Sequence, residues 1–113
     1  MPAQTSAAVS SAHLGLLLDL PISPAATTSR VVVNNELLRV VHFAMDAGQE
    51  LTEHASPRNV VVQLLHGTMD FAVDGTPYAM VAGAVLYLAP GARHALPATT
   101  ACRFSLVMVD PGA

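Results

Sequence analysis

The sequence predicts an all-β domain, either a sandwich or a closed barrel. Three observations carry that expectation. Residues 29–109 fall into eight or nine short apolar runs, each ended by a turn signal, the pattern of many short strands. No long helical period interrupts them. Apolar residues make up 52% of the 113 and charged ones 12%, so burial can outweigh chain entropy and disorder is excluded for most of the chain. Strands this apolar need their edges closed, by a barrel or by a second sheet.

Taken in order, residues 1–13 are rich in Ala, Ser and Thr without an apolar period and are expected to be a flexible tail. Residues 14–113 have the length of one domain. Leu14–Leu20 is a short helix or an edge strand, and Pro21 and Pro24 end it. Val31–Val33 and Leu37–Met45 flank Asn34-Asn35, a hairpin turn because Asn tolerates positive φ. Asp46-Ala47-Gly48 is the next break, and residues 49–53 read as an approach loop. Val60–Leu65 is a strand closed by Gly67, and Thr68–Val73 follows. Asp74-Gly75 then suits a type I′ turn. Further strands are expected at Pro77–Val81, Ala84–Leu88, Ala95–Leu96 and Arg103–Val109, separated by Gly83, Pro90-Gly91 and Pro97.

Composition removes several function classes. Five arginines and no lysine stand against eight acidic residues, for a net charge of −3. A nucleic-acid surface needs clustered positive charge, so none is expected. The apolar run Leu14–Leu18 is far short of a membrane span, and no basic residue precedes it as in a secretory signal. The expectation is a cytoplasmic protein with Cys102 reduced. One cysteine builds neither a disulfide framework nor a Cys-rich zinc site, and within an apolar strand its thiol is inert packing.

Two stretches bear on chemistry. Gly48 is followed after five residues by His54, with Ser56, Val60 and Gly67 beyond it. Gly83 is followed after five residues by Ala89-Pro90-Gly91, then His94 and Ala98. In order and in spacing these resemble the two motifs of the cupin family, over residues 48–67 and 83–98. The resemblance spans about Ser29 to Val109 and implies a double-stranded β-helix, or jelly-roll, barrel. It also implies a divalent metal (zinc, iron, nickel or manganese) held by three histidines and a glutamate. Position by position, His54 matches the first histidine and His94 the last. Ser56 stands at the second histidine, Val60 at the glutamate and Ala98 at the closing asparagine, so the ligand set is partial.

Strand parity offers a third ligand. If Arg39 stays out of a small barrel, the Leu38, Val40, His42, Ala44 face turns inward and His42 joins His54 and His94. Imidazole suits zinc, iron, copper and nickel alike. Otherwise His42 is a half-buried strand histidine. Gln63 is a candidate oxygen ligand, or a polar residue pairing across strands. Glu50 and Glu53 are near enough in sequence to hydrogen-bond His54, and His66 is a turn residue. Met69, Phe71, Tyr87, Phe104 and Gln63 are expected to line the pocket, mostly apolar with a few polar groups as for small-molecule binding. Arg93 and Arg58 are placed to attract a carboxylate at the mouth.

No Ser–His–Asp arrangement and no convergent carboxylates are visible, so any catalysis rests on an ion. The expected function is a small-molecule-binding cupin with a reduced histidine-based metal site. The alternative is a metal-dependent cupin enzyme (dioxygenase, isomerase or decarboxylase type) acting on a small organic acid or sugar-like substrate. Apolar outer faces predict a homodimer, with residues 14–22 available to cross to the partner.

Overall fold

The computed structural model describes residues 4–97 and 100–110, the Pro97 side chain aside. One short helix, α1 (Leu16–Asp19), precedes nine strands. They are β1 (Thr27–Asn34), β2 (Leu38–Met45), β3 (Glu50–Ala55), β4 (Asn59–His66) and β5 (Thr68–Val73). β6 (Thr76–Val81), β7 (Val85–Leu88), β8 (Arg93–Pro97) and β9 (Cys102–Val109) complete the set. A larger sheet runs β1-β2-β9-β4-β7, and a smaller one runs β3-β8-β5-β6. The pairings between strands are antiparallel.

The turn between β1 and β2 is at residues 35–37, one position later than Asn34-Asn35 and without positive φ; the turn at residues 74–75 falls where the sequence places it. Asp74 and Gly75 both have positive φ, the backbone a type I′ hairpin requires. Gly67, between β4 and β5, also has positive φ, and its α-carbon faces the Ala101 carbonyl and Cys102 at close quarters. Residues 5–7 lie against the β1–β2 hairpin. The Thr5 amide donates to the Asn34 carbonyl, and the Ala7 amide donates to the Glu36 carboxylate.

Both sheets feed one core. In the larger sheet the inward rows are Val60, Val62, Leu64 on β4 and Cys102, Phe104, Leu106 on β9, all buried. Phe43 of β2 stacks on Phe104 with ring centroids 4.8 Å apart. Met69, Phe71, Met80 and Leu96 fill the space from the smaller sheet. Cys102 lies among them with its thiol pKa pushed up by burial, as expected of inert packing.

Parity on β2 is the reverse of the expectation. Val41, Phe43 and Met45 face the core, so His42 and Ala44 face out. The alternation is hard to read because both faces are covered. The segment leading from α1 folds back over the outer face, where the Arg103 guanidinium donates to the carbonyls of Leu20 at 2.6 Å and Leu17 at 3.4 Å. That segment packs on its own sheet.

Candidate functional site: two imidazoles at one barrel end

β3 was expected as a loop and is an edge strand. Its exposed, polar Glu50, Thr52 and Glu53 carry no apolar alternation to reveal it. Leu51 pairs with Leu96 and His54 with His94, and a bulge lies between the two pairs. Three residues apart on a regular strand, Leu51 and His54 would face opposite ways. The extra residue turns both inward, a common use of bulges beside functional sites.

His94 enters from β8 and is 4% exposed, while His54 at the rim is exposed. Their Nε2 atoms are 2.9 Å apart. The His54 Nδ1–H donates to the Thr52 carbonyl at 2.9 Å, and the His94 Nδ1–H to the Ala92 carbonyl at 3.3 Å. A carbonyl only accepts, so each Nδ1 carries the proton and each Nε2 keeps a lone pair. Two lone pairs then converge on one place. Phe71 stacks behind His94 with centroids 5.8 Å apart. Burial, and then the neighbouring His54, hold the His94 pKa below its ordinary value, while the Ala92 carbonyl acts weakly the other way.

The donor set fits a metal ion. Neighbouring octahedral corners with metal–nitrogen bonds of about 2.1 Å lie about 3.0 Å apart, and tetrahedral corners roughly 3.4 Å. The observed 2.9 Å matches the first. The carbonyl bonds to Nδ1 are the usual way a ligating imidazole is oriented. Two histidines meet here, and no group of three or more His, Cys, Asp or Glu suited to a metal occurs among the described residues.

The other sequence candidates lie elsewhere. His42 is 2% exposed on the far side of the larger sheet, opposite Ser105 and Arg30, so it is not a third ligand. Its Nε2 is buried without a partner, and burial followed by Arg103 lowers its pKa. Gln63 is also on that outer face and accepts a bond from the Ser105 hydroxyl at 3.4 Å. Tyr87 points outward too, because Leu86 and Leu88 take the inward positions of β7, and its hydroxyl donates to Asn59 at 2.8 Å. Met69 and Phe104 are packed core and line no open pocket; Phe71 is core as well, though it touches His94. The Ser56 hydroxyl accepts the Arg58 amide within its turn, and Val60 is buried and apolar. Ala98 lies outside the described residues. Two hollows of about 360 and 590 Å³ sit outside the barrel, between residues 12–22 and the larger sheet, away from the imidazoles.

No family model and no curated protein matches the chain. Solved structures do. A conserved protein of unknown function from Streptococcus pyogenes is 30% identical, with a TM-score of 0.82 over 93% of this chain and 92% of that one. A cupin superfamily protein from Desulfitobacterium hafniense is 14% identical, with a TM-score of 0.80 over 90% of this chain and 94% of that one. Salicylate 1,2-dioxygenase from Pseudoaminobacter salicylatoxidans is 18% identical, with a TM-score of 0.70 over 83% of this chain but 28% of that one.

Proposed function

This chain is a small cupin domain, a double-stranded β-helix, and from that premise we propose that it binds a small molecule at one divalent transition metal held by His54 and His94. One observation supports this above the others: both Nδ1 atoms are tied to carbonyls while both Nε2 lone pairs meet 2.9 Å apart. Zinc, iron, nickel and manganese all accept imidazole ligands. With Ser56 and Val60 supplying nothing, water and the ligand fill the remaining positions. When bound, the ion acts as a Lewis acid on a ligand oxygen. Calorimetric titration with nickel tests the reading. The expected result is one ion per chain for the wild type and loss of binding in His54→Ala and His94→Ala, with circular dichroism unchanged. Wild-type nickel binding in both variants overturns it.

The second reading is a metal-dependent enzyme of dioxygenase, isomerase or decarboxylase type. The reduced protein ligand set favours it, because it leaves adjacent positions for substrate beside the ion. Oxygen uptake by the metal-loaded protein with small organic acids separates a dioxygenase from a binding module.

The same proposal extends to assembly and compartment. Leu65, Val85 and Tyr87 are 49%, 56% and 62% exposed on the outer face of the larger sheet, and a second copy laid on that face would cover them. Light scattering is expected to give a homodimer that Leu65→Glu dissociates. The buried, unpaired Cys102 fits the reducing cytoplasm.

A further inference from the structure

The five arginines differ in what they bind. Arg30 pairs with Asp19 at 3.4 Å, Arg58 with Asp110 at 3.2 Å and Arg93 with Glu53 at 3.5 Å. Arg103 is held by two backbone carbonyls. Arg39 alone has neither an ion pair nor a side-chain hydrogen bond among the described residues, and its Nε is buried without a partner. A buried Nε–H left this way forfeits the hydrogen bond it makes in water.

Its place in the fold gives that vacancy meaning. Arg39 shares the inward row of β2 with Val41, Phe43 and Met45. It sits on one rung of the larger sheet, Arg39–Met108–Val60–Leu88. That rung is at the same end of the barrel as the imidazoles. β3 ends at Ala55, one residue past His54, and β4 begins at Asn59; β7 ends at Leu88 and β8 begins at Arg93. The Gly91 amide bonds the Ser56 carbonyl and joins the two loops. On this rung Val60 stands two strands from Arg39, about 10 Å away at ordinary strand spacing. A glutamate at position 60 would supply an anion within a long side chain's reach, but valine supplies none. Glu53 and Asp110 are already paired, and Asp74 Oδ1 accepts the Arg93 amide.

We propose that Arg39 anchors the carboxylate of a small organic acid at this mouth, with the acid's apolar body against the partly buried Met108. The inference rests on the two-histidine reading for the site, and it names the ligand class. A guanidinium presents parallel N–H donors that match a carboxylate bidentately, and partial burial strengthens the pair. The two anion-attracting residues expected from sequence, Arg58 and Arg93, are neutralised by their own carboxylates.

The test uses the full chain, with and without nickel. Benzoate, butyrate and pyruvate are each titrated against the corresponding neutral amide. The expected result is that at least one acid binds about tenfold or more tightly than its amide, as for a hydrogen bond to a charged group. Arg39→Gln is expected to abolish that preference, Arg39→Lys to restore part of it and Arg103→Gln to leave it intact. Nickel content in Arg39→Gln stays at the wild-type value. Equal binding of acid and amide, no binding of any acid, or a preference that survives Arg39→Gln overturns the proposal. An Arg39-dependent preference in a protein that takes no nickel removes the metal reading and leaves this one standing.

Discussion

Gly67→Ala puts the fold to a quantitative test. Gly67 closes the first motif with φ of +83°, and a β-carbon there would press into the Ala101 carbonyl oxygen and lie 3.0 Å from Cys102 Cα and 3.1 Å from its Cβ. Two terms add. The left-handed backbone disfavours an L-residue by roughly 1–2 kcal/mol. Forcing a methyl into filled space costs roughly 1–3 kcal/mol more. Neither neighbour yields easily, since one is backbone and the other is the buried start of β9. The sum, roughly 2–5 kcal/mol, is a large share of the roughly 5–15 kcal/mol typical of a domain. With no tryptophan to report, urea unfolding followed by far-ultraviolet circular dichroism is the assay. At a slope of roughly 1–3 kcal/mol/M the midpoint should fall by about 0.7 M or more. Gly75→Ala meets nothing within 4 Å and should lose only the backbone part. A Gly67→Ala midpoint equal to that of Gly75→Ala would refute the close contact.

Three further outcomes are expected. His42 has its pKa held below about 6.5, the unfolded value, by burial and by Arg103. The unfolded chain therefore binds more protons in that window, so stability is full above pH 6.5 and falls as acid approaches the folded pKa. In urea titrations wild type should lose up to about 1.4 kcal/mol per pH unit more than His42→Gln across it, and parallel curves would contradict this. Arg103→Met removes both bonds to the Leu17 and Leu20 carbonyls, so amide exchange of residues 14–22 should accelerate while that of β4 and β9 does not. Val60→Glu should raise nickel affinity by adding a carboxylate ligand and weaken acid binding at Arg39, both readable in one pair of calorimetric titrations.

What the sequence discloses depends on how many sides of a strand are covered. Asp74-Gly75 is legible because hairpin geometry is a local demand on φ; the Asn34-Asn35 turn is legible only in place, since it lies at residues 35–37 without positive φ and is held by the Asn35 side chain accepting the Leu37 and Leu38 amides. His54 and His94 are legible through spacing, even though forty positions separate them. The facing of β2 is not, since Val41, His42, Ala44 and Met45 are all buried and alternation vanishes when both sides are dry. The premise that an arginine avoids a barrel interior also failed at Arg39. A strand's first turn of pleat lies at the mouth, where a long side chain reaches water or a ligand. β3 stayed hidden for the opposite reason, having almost nothing apolar to alternate. Tyr87 was assigned inward for its chemistry, but Leu86 and Leu88 had stronger claims to the core.

Each imidazole is steered by the carbonyl two positions upstream, Thr52 within β3 for His54 and Ala92 just before β8 for His94. The aim of the pair is therefore written into backbone next to each histidine and owes little to distant side chains. A barrel so equipped can change its guest by exchanging a few positions such as 39 and 60, and keep the same paired nitrogens pointing at it.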